Sequence, residues 1–536
     1  MKLRNSKPAL GRFARQNHAG RFSGVRVVAV AAAVLVSGSQ TPAAVNDPVT
    51  TDAGKLSGVT LKSGVRAFKG IPFGAPPVGD LRWKEPQPVP KWDGVRKAEQ
   101  WGNACVQPNQ PNRNPNNVTV DLPDSPKMSE DCLYLNLWTS APRASAKQAV
   151  MVWIFGGAYS EGGGNTPHND GENLAKKGVV VVNFNYRLGP FGFFSHPELT
   201  KESGHNASGN QALADSLAVL RWVKTNIAAF GGDPNNVTIF GESAGAAMVG
   251  GLVGSPLAKG LFHRAISESG AWMGLGMGPM LPRARAEQQE VIVPGARGRG
   301  RGDGAPSGPP PPAPPLPPLA ELRARPADEV TKTLRGAGMI VDGYIVPEDE
   351  SLTFANGRQN AVDVIAGFNK DEHTSLGGNV AFRDTMAWHM RLFVERQVAL
   401  GRRGYWYTFT HEPPIEPGAR DLKATHATEI VYAFNNLWAP RVFPDASSPK
   451  LAMASEKDKA MAEQMSSYWV NFARTGDPNG TARPKGGQSN AVLPNWPPFK
   501  DRNAPPHVLG EIKEYPSADT LNAYDAKYAE VMKTLP

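Results

Sequence analysis

Cysteine is scarce in this 536-residue chain, which contains only Cys105 and Cys132. The chain can therefore form one disulfide at most, and closing that loop would contribute on the order of 3 kcal/mol to stability. The alternative is a pair of buried free thiols. Because disulfides persist in oxidising compartments, the choice between the two depends on whether the chain is exported.

Long hydrophobic runs are missing as well. The apolar run Val27–Val36 is too short to span a bilayer as a permanent helix. It follows a basic region and precedes small residues, which is the order of a secretory signal peptide. We predict that residues 1–44 are this signal, with cleavage at Ala43, Ala44 or Ser39, and that the mature protein is periplasmic or extracellular. The alternative is an anchored or disordered basic tail. A twin-arginine export route is not indicated, because the segment contains no two adjacent arginines.

Negative charge is absent from the beginning of the chain, where no acidic residue precedes Asp47. Seven cations lie in that segment: Lys2, Arg4, Lys7, Arg12, Arg15, Arg21 and Arg26. They account for most of the formal net charge of +9, so the rest of the chain is close to neutral. Nucleic-acid binding needs basic residues clustered on the folded part, and no nucleic-acid partner is therefore expected. The sequence leaves the oligomeric state open.

The remaining composition, 40% apolar and 20% charged, is that of a globular protein large enough for one big α/β domain or for two domains. The continuous apolar run at 150–155 and the valine-rich segment 179–186 predict buried strands, and 212–230 has helical spacing. Such strands alternating with helices predict the α/β class, with a large, mostly parallel central sheet covered by helices on both faces.

The segment Val237–Ala247 contains the most informative motif of the chain. A β-branched and aromatic run ends there in G-E-S-A-G, and the small residues that follow begin a predicted helix. A strand, a sharp turn and a helix are the parts of a nucleophile elbow. Gly241 and Gly245 would leave room for a strained Ser243 at the carboxyl edge of the sheet, above a helix N-terminus. Ser243 is thus the predicted nucleophile, and a plain glycine-rich turn is the alternative for the pattern taken alone.

A glycine pair, Gly156 and Gly157, directly follows the predicted strand 150–155. Acyl transfer needs backbone N–H donors aimed at the oxyanion, and glycine lets the backbone approach the substrate closely. Ala244, the residue after the nucleophile, would supply another donor. We predict that these three residues form an oxyanion hole; a simple turn is the alternative for the glycine pair.

An acid and a histidine complete the predicted constellation. Glu372 follows an apolar strand, and His426 lies in a loop after a later strand. Ser243, Glu372 and His426 occur in the order nucleophile, acid, histidine that α/β-hydrolases use. His426 would take the serine proton, and Glu372 would fix the imidazole tautomer. Asp371 is the alternative acid and His411 the alternative histidine.

Residues 291–318 interrupt the pattern with an arginine-glycine repeat followed by Pro309–Pro318. This composition predicts a disordered or polyproline-like surface insert within the domain 45–536. A proline-rich recognition site is one alternative. A reading-frame artefact is another, because charged helical sequence precedes the insert and resumes abruptly at Ala320.

From about Val49 to its end, the chain resembles the type-B carboxylesterase family of the α/β-hydrolase fold, which includes para-nitrobenzyl-type esterases and cholinesterases. The segments that carry the resemblance are Phe68–Phe73, Glu130–Asn136, Gly156–Ala158, Asn185–Gly189, Gly241–Ala246, Asp371–Glu372, His426–Glu429 and Trp469–Asn479. The resemblance implies a serine hydrolase that cleaves small-molecule carboxylic esters through an acyl-enzyme and needs no metal or cofactor. It implies the same triad and oxyanion donors, and a Cys105–Cys132 disulfide.

The chain departs from the family pattern at a few places. The family usually has glycine after the acid, where this chain has His373, and often has histidine where this chain has Phe155. The interval from Glu372 to His426 is also short for the family. Cholinesterases carry an aromatic cation site in the disulfide loop, which has no aromatic residue here, so choline esters are not expected substrates. The rival hypothesis is a catalytically silent binding protein on the same fold.

Overall fold

The computed structural model describes residues 45, 47–108, 127–270, 279–288, 316–376, 380–415, 421, 423–439, 454–480 and 493–535. The predicted signal peptide, most of the loop between the cysteines and residues 291–315 of the predicted insert lie outside the described residues. The last three residues of the insert region are described, and the carbonyl oxygen of Pro317 is 3.1 Å from Nε2 of His196. Within the described parts, no helix is both long and apolar enough to cross a membrane.

A ten-stranded sheet forms the centre of the described structure. Its strands in chain order are β1 (Val59–Thr60), β2 (Arg66–Pro72), β3 (Tyr134–Thr139), β4 (Gln148–Ile154), β5 (Val180–Phe184), β6 (Gly232–Glu242), β7 (Arg264–Glu268), β8 (Asp363–Asn369), β9 (Gly404–Phe409) and β10 (His507–Leu509). The order across the sheet is β10-β9-β8-β7-β6-β4-β5-β3-β2-β1.

The sheet is parallel from β10 to β5 and antiparallel at the other edge, from β5 through β3 and β2 to β1. This confirms the predicted α/β class with a mostly parallel sheet. Residues Val150–Ile154 and Val180–Phe184 are all buried, as expected of mostly apolar strands when helices cover both faces of the sheet. The parallel strands β4, β6, β7 and β8 end at one edge, where Ser243 follows β6 directly.

The described residues form five long helices: α1 (Gln211–Asn226), α2 (Ala244–Gly254), α3 (Val380–Val398), α4 (Glu456–Thr475) and α5 (Ala518–Met532). The first four pack against the sheet, and α5 packs on α3. A 3₁₀ turn, Ile227–Phe230, extends α1, and Gly231 ends it with a φ of 84°. Glycine adopts this left-handed conformation without steric cost, which explains why the helical pattern stops there. α4 begins with a capping box, because Ser455 and Asp458 satisfy each other's backbone N–H groups.

Shorter elements surround this frame. The short helices are Glu172–Lys176, Gly189–Gly192, Pro197–Glu202, Arg283–Ala286, Leu319–Ala324, Ala327–Thr333, Glu350–Ala355, His373–Leu376 and Ile430–Ala433. Small sheets are formed by Val49–Thr50 with Lys55–Ser57 and Val95–Lys97, by Ala104–Cys105 with Met128–Ser129, and by Leu281–Pro282 with Ile340–Val341.

Cys105 and Cys132 form a disulfide across 27 positions of the chain, which confirms the pairing implied by the family resemblance. Both sulfur-bearing residues are buried. The bond joins the small strand pair that contains Cys105 to the start of β3. It thereby ties a peripheral loop to the central sheet.

Candidate active site

Ser243 lies in the turn between β6 and α2 and has a φ of 55° and a ψ of −124°. A residue with a side chain rarely adopts this conformation, so the surrounding structure must impose it. Its N–H donates to the carbonyl oxygen of Glu268 at the end of β7 over 2.9 Å, and its own carbonyl accepts from Ala247. These two bonds hold the backbone of the turn from both sides.

Three glycines make room for the turn. A methyl group on Gly245 would overlap the carbonyl oxygen of Ile154, and one on Gly241 would come within 2.6 Å of the same oxygen. A methyl group on Gly270 would overlap the carbonyl oxygen of Ser243. The two glycines of the G-E-S-A-G pattern therefore let the elbow pack against the end of β4, and Gly270 lets the segment after β7 support it.

Residues 156–161, which contain two of the predicted oxyanion donors and are called the oxyanion loop below, follow β4 and pass directly beside the serine. A methyl group on Gly156 would lie 3.0 Å from Cβ of Ser243. The next three residues, Gly157, Ala158 and Tyr159, have φ values of 107°, 51° and 62°. The glycine at 157 is a sequence signal for such a turn, whereas the left-handed Ala158 and Tyr159 have none. Tertiary contacts fix them, including the bond from the N–H of Gly189 to the carbonyl of Tyr159 at 2.7 Å.

Ala244 is the first residue of α2, so its N–H belongs to the unpaired first turn of a helix. The positive end of the helix dipole acts at the same place. Gly156 approaches from the loop, and Ala244 approaches from the helix. The backbone around Ser243 can thus present N–H groups to a developing negative charge from two elements.

His426 connects Ser243 to Glu372. Its Nε2 is 2.8 Å from Oγ of Ser243, and its Nδ1 is 2.6 Å from Oε2 of Glu372. Both His426 and Glu372 are buried. The second oxygen of Glu372 accepts the N–H of Asn369 over 2.7 Å, which holds the carboxylate in place. The structure therefore brings the three predicted residues together in one hydrogen-bonded chain.

The two neighbouring acids have different partners. Asp371 pairs with Nζ of Lys370 at 2.7 Å and accepts the N–H of Ala424 at 3.2 Å. Its own N–H donates to the carbonyl of Ala424, so the segments that carry the acid and the histidine are cross-linked at this point. Asp371 holds the two segments together, and Glu372 is the acid that contacts His426.

The alternative histidine lies elsewhere. Nε2 of His411 is 2.8 Å from Oδ1 of Asp458, and the hydroxyl of Tyr432 donates to the same oxygen over 2.7 Å. Because Asp458 also caps α4, this histidine belongs to the structural contacts of the helix start.

Two further buried glutamates surround the histidine. Oε1 of Glu242 is 3.1 Å from Nε2 of His426, and Glu429 accepts a hydrogen bond from the side-chain amide of Asn369. The motif-based prediction assigned no role to either, although Glu242 directly precedes the serine and Glu429 follows the histidine by three positions. Their closeness in sequence to Ser243 and His426 was the feature that could have indicated a place beside the histidine.

These carboxylates set the electrostatics of the site. Burial lowers the pKa of His426, but the neighbouring Glu242 and Glu372 outweigh burial and raise it overall. Burial also raises the pKa of Glu242 well above its usual range. A raised histidine pKa favours the imidazolium that forms when the ring takes a proton from the serine. Among the described residues, no group of three or more histidine, cysteine or acidic side chains could hold a metal ion.

Comparisons with known proteins agree with this geometry. The carboxylesterase family model matches residues 46–293 and 379–526. The fumonisin B1 esterase of Sphingopyxis macrogoltabida is 35% identical over 494 residues, which cover 84% of each chain. The para-nitrobenzyl esterase of Bacillus subtilis is 31% identical over 503 residues, covering 86% of this chain and 94% of that protein.

The solved structures show the same likeness. The crystal structure of a Geobacillus stearothermophilus carboxylesterase at pH 6.2 superposes with a TM-score of 0.66 and 30% identity, covering 86% of this chain and 96% of that one. A para-nitrobenzyl esterase structure gives a TM-score of 0.63 and 29% identity over 84% of this chain. The α/β-hydrolase fold is thereby confirmed. This chain belongs to the carboxylesterase family of carboxylic ester hydrolases.

Proposed function

We propose that this protein cleaves small carboxylic esters through an acyl-enzyme, with Ser243 as nucleophile, His426 as general base and acid, and Glu372 as the carboxylate that orients the histidine. The observation that carries the proposal is the pair of contacts at His426, 2.8 Å to Oγ of Ser243 and 2.6 Å to Glu372. This is the arrangement that activates a serine at neutral pH.

In the first half of the reaction, Oγ of Ser243 attacks the ester carbonyl carbon while Nε2 of His426 takes the hydroxyl proton. The tetrahedral intermediate collapses, the bond to the alcohol oxygen breaks, and His426 gives its proton to the leaving alcohol. In the second half, His426 takes a proton from water as the water oxygen attacks the acyl carbon. Ser243 then leaves with the proton restored, and the free acid departs.

The backbone N–H groups of Gly156, Gly157 and Ala244 are the proposed oxyanion donors. The contact between Gly156 and Ser243 and the place of Ala244 at the start of α2 support this assignment. Such donors act on the charge that develops on the carbonyl oxygen in the transition state, and each is worth roughly 10²- to 10³-fold in rate.

We also propose that the protein is exported and that residues 1–44 are removed as a signal peptide. The basic-apolar-small order of that segment supports export, as does the disulfide, which persists in oxidising compartments. Mass spectrometry of the secreted protein tests this. The expected mass lacks about the first forty residues, and an intact N-terminus would contradict the proposal.

A fluorophosphonate probe tests the catalytic proposal. The full-length protein should be labelled on Ser243, and Ser243→Ala should abolish labelling and lower kcat by about 10⁴- to 10⁶-fold. Ser255→Ala is the matched control, because Ser255 is a buried serine at the other end of α2 whose hydroxyl has no hydrogen-bond partner among the described residues. It should keep both labelling and activity on p-nitrophenyl esters of rising chain length. A folded protein that neither labels nor hydrolyses any of these esters would instead support a silent binding protein.

A further inference from the structure

A cavity of about 300 Å³ lies beside the oxyanion loop. The loop contributes Ala158, Tyr159 and Ser160 to its wall, directly after the glycines proposed to bind the oxyanion. Leu188 and Phe193 supply apolar walls. A cavity of this volume is at the small end of ligand pockets, and its wall continues the loop that would hold the ester carbonyl.

Arg335 is the one charged side chain among the described residues that line this cavity. It is exposed, and none of the described ion pairs includes it. Two basic residues of the preceding segment are paired: Lys332 with Asp328 within the helix Ala327–Thr333, and Arg325, just before this helix, with Glu329. Arg335 therefore presents a guanidinium that has no counter-charge among the described residues, at the edge of a largely uncharged cavity.

Backbone packing fixes Arg335 relative to the oxyanion loop. A methyl group on Gly336 would overlap the carbonyl oxygen of Gly189. The N–H of the same Gly189 donates to the carbonyl of Tyr159 over 2.7 Å. The N–H of Ala337 donates to Phe193 over 3.0 Å. The segment that carries Arg335 and the loop that carries the oxyanion donors thus share one rigid support.

We infer that this cavity is a specificity subsite and that Arg335 selects esters with a free carboxylate close to the scissile bond. The inference rests on the proposed function, because a subsite beside the oxyanion loop selects substrates only if Ser243 attacks esters there. A guanidinium binds a carboxylate through two parallel hydrogen bonds, and no other charged group of the described cavity wall competes for it. The carboxylate belongs to the acyl part or to the alcohol part of the ester, depending on which part enters the cavity.

Two pairs of esters of nearly equal shape test the inference and distinguish the two parts. Monoethyl succinate against ethyl 4-methylpentanoate places the charge on the acyl side. Acetoxyacetate against isobutyl acetate places it on the alcohol side. The measured quantity is the ratio of kcat/KM for the charged ester to kcat/KM for its neutral partner, at constant ionic strength and with the full-length protein.

In Arg335→Gln, this ratio should fall by about tenfold to a hundredfold in one of the two pairs, as expected for the loss of a charge-assisted bond. Arg335→Lys should recover part of it, because the charge remains but the two parallel bonds do not. Lys332→Gln is the matched control, since it removes a neighbouring positive charge outside the cavity and should leave both ratios unchanged.

An unchanged ratio in both pairs for folded Arg335→Gln overturns the subsite. If the unsubstituted protein still hydrolyses the neutral esters, the proposed function stands without the inference. If the unsubstituted protein hydrolyses none of the four esters and Ser243 is not labelled by fluorophosphonate, the proposed function itself fails. Circular dichroism and the thermal midpoint of each variant establish that it is folded.

Discussion

The side-chain amide of Asn369 donates a hydrogen bond to the carbonyl oxygen of Thr425 over 2.8 Å. Asn369 is the last residue of β8, and Thr425 directly precedes His426. The N–H of Asn369 also donates to Glu372 over 2.7 Å. The side chain and the backbone of Asn369 thus fix the positions of Glu372 and His426 relative to each other, although these two residues lie 54 positions apart in the chain.

Asn369→Ala should lower kcat by about tenfold to a hundredfold with little change in KM, because the imidazole would lose a support that fixes its position. Asn360→Ala is a matched control. The amide of Asn360 also bonds backbone carbonyls, those of Val253 and Ser255, but it lies away from the triad. Steady-state kinetics corrected for the folded fraction distinguish the two variants. Equal losses of kcat in both would show that Asn369 acts only on stability.

Glu372→Gln should lower kcat by about 10³- to 10⁴-fold, because an amide cannot stabilise the imidazolium and favours the wrong tautomer. Asp371→Asn should stay within about threefold, since an amide oxygen still accepts the N–H of Ala424. Hydrolysis of p-nitrophenyl butyrate by the two variants measures both effects. If Asp371→Asn lowered kcat more than Glu372→Gln did, Asp371 would be the acid of the triad.

The nucleophile elbow could be predicted because its determinants are local. Gly241, Ser243 and Gly245 lie within one short stretch of sequence, and the strained turn needs those residue types whatever the rest of the fold. The buried parallel strands were predictable for a similar reason, since a strand covered on both faces is mostly apolar. β3 is a counterexample. Its alternating sequence is typical of a half-buried strand, yet residues 135–139 are all buried, so both faces of β3 are covered.

The choice between Asp371 and Glu372 could not be derived from strand alternation, because both residues lie beyond the end of β8 at Asn369. The turn and the bridge between Asp371 and Thr425 decide which carboxylate reaches the histidine. These contacts are long-range in sequence. The same is true of the left-handed Ala158 and Tyr159, which only tertiary hydrogen bonds explain.

The disulfide should stabilise the fold appreciably. Replacing Cys105 and Cys132 with alanine should lower the free energy of unfolding by about 3.5 kcal/mol, as the chain-entropy model gives for a closed loop of 27 positions. Urea unfolding of the oxidised protein and of the double variant measures the difference. Urea midpoints that coincide, with equal slopes, would contradict the prediction.

His507 should make stability depend on pH. Burial lowers its pKa to about 4, against 6.5 for the unfolded chain, and its ring stacks on Trp496 with centroids 4.7 Å apart. The unfolded state therefore binds a proton between these two values that the folded state does not bind, so stability falls as the pH falls below 6.5. Between about pH 7 and pH 5, the protein should lose about 2 kcal/mol more than His507→Phe.

His507→Phe keeps a stacking ring but cannot take the proton, and the other buried histidines titrate equally in both proteins. Urea unfolding at the two pH values gives the comparison. If the two proteins lost the same free energy of unfolding over this interval, the ring of His507 would have the same proton affinity in the folded and unfolded chains.

The crowding around Ser243 has a consequence for laboratory evolution. Backbone carbonyl groups of neighbouring segments occupy the space that a side chain at Gly241, Gly245 or Gly270 would need. Replacing any of these glycines should therefore destabilise the fold itself, whatever the substrate. A mutational scan selected only for soluble expression should already reject side chains at these positions, whereas it should accept most residues at 335. Libraries that aim at a new substrate preference can therefore keep the elbow constant and place their diversity on the segment around Arg335.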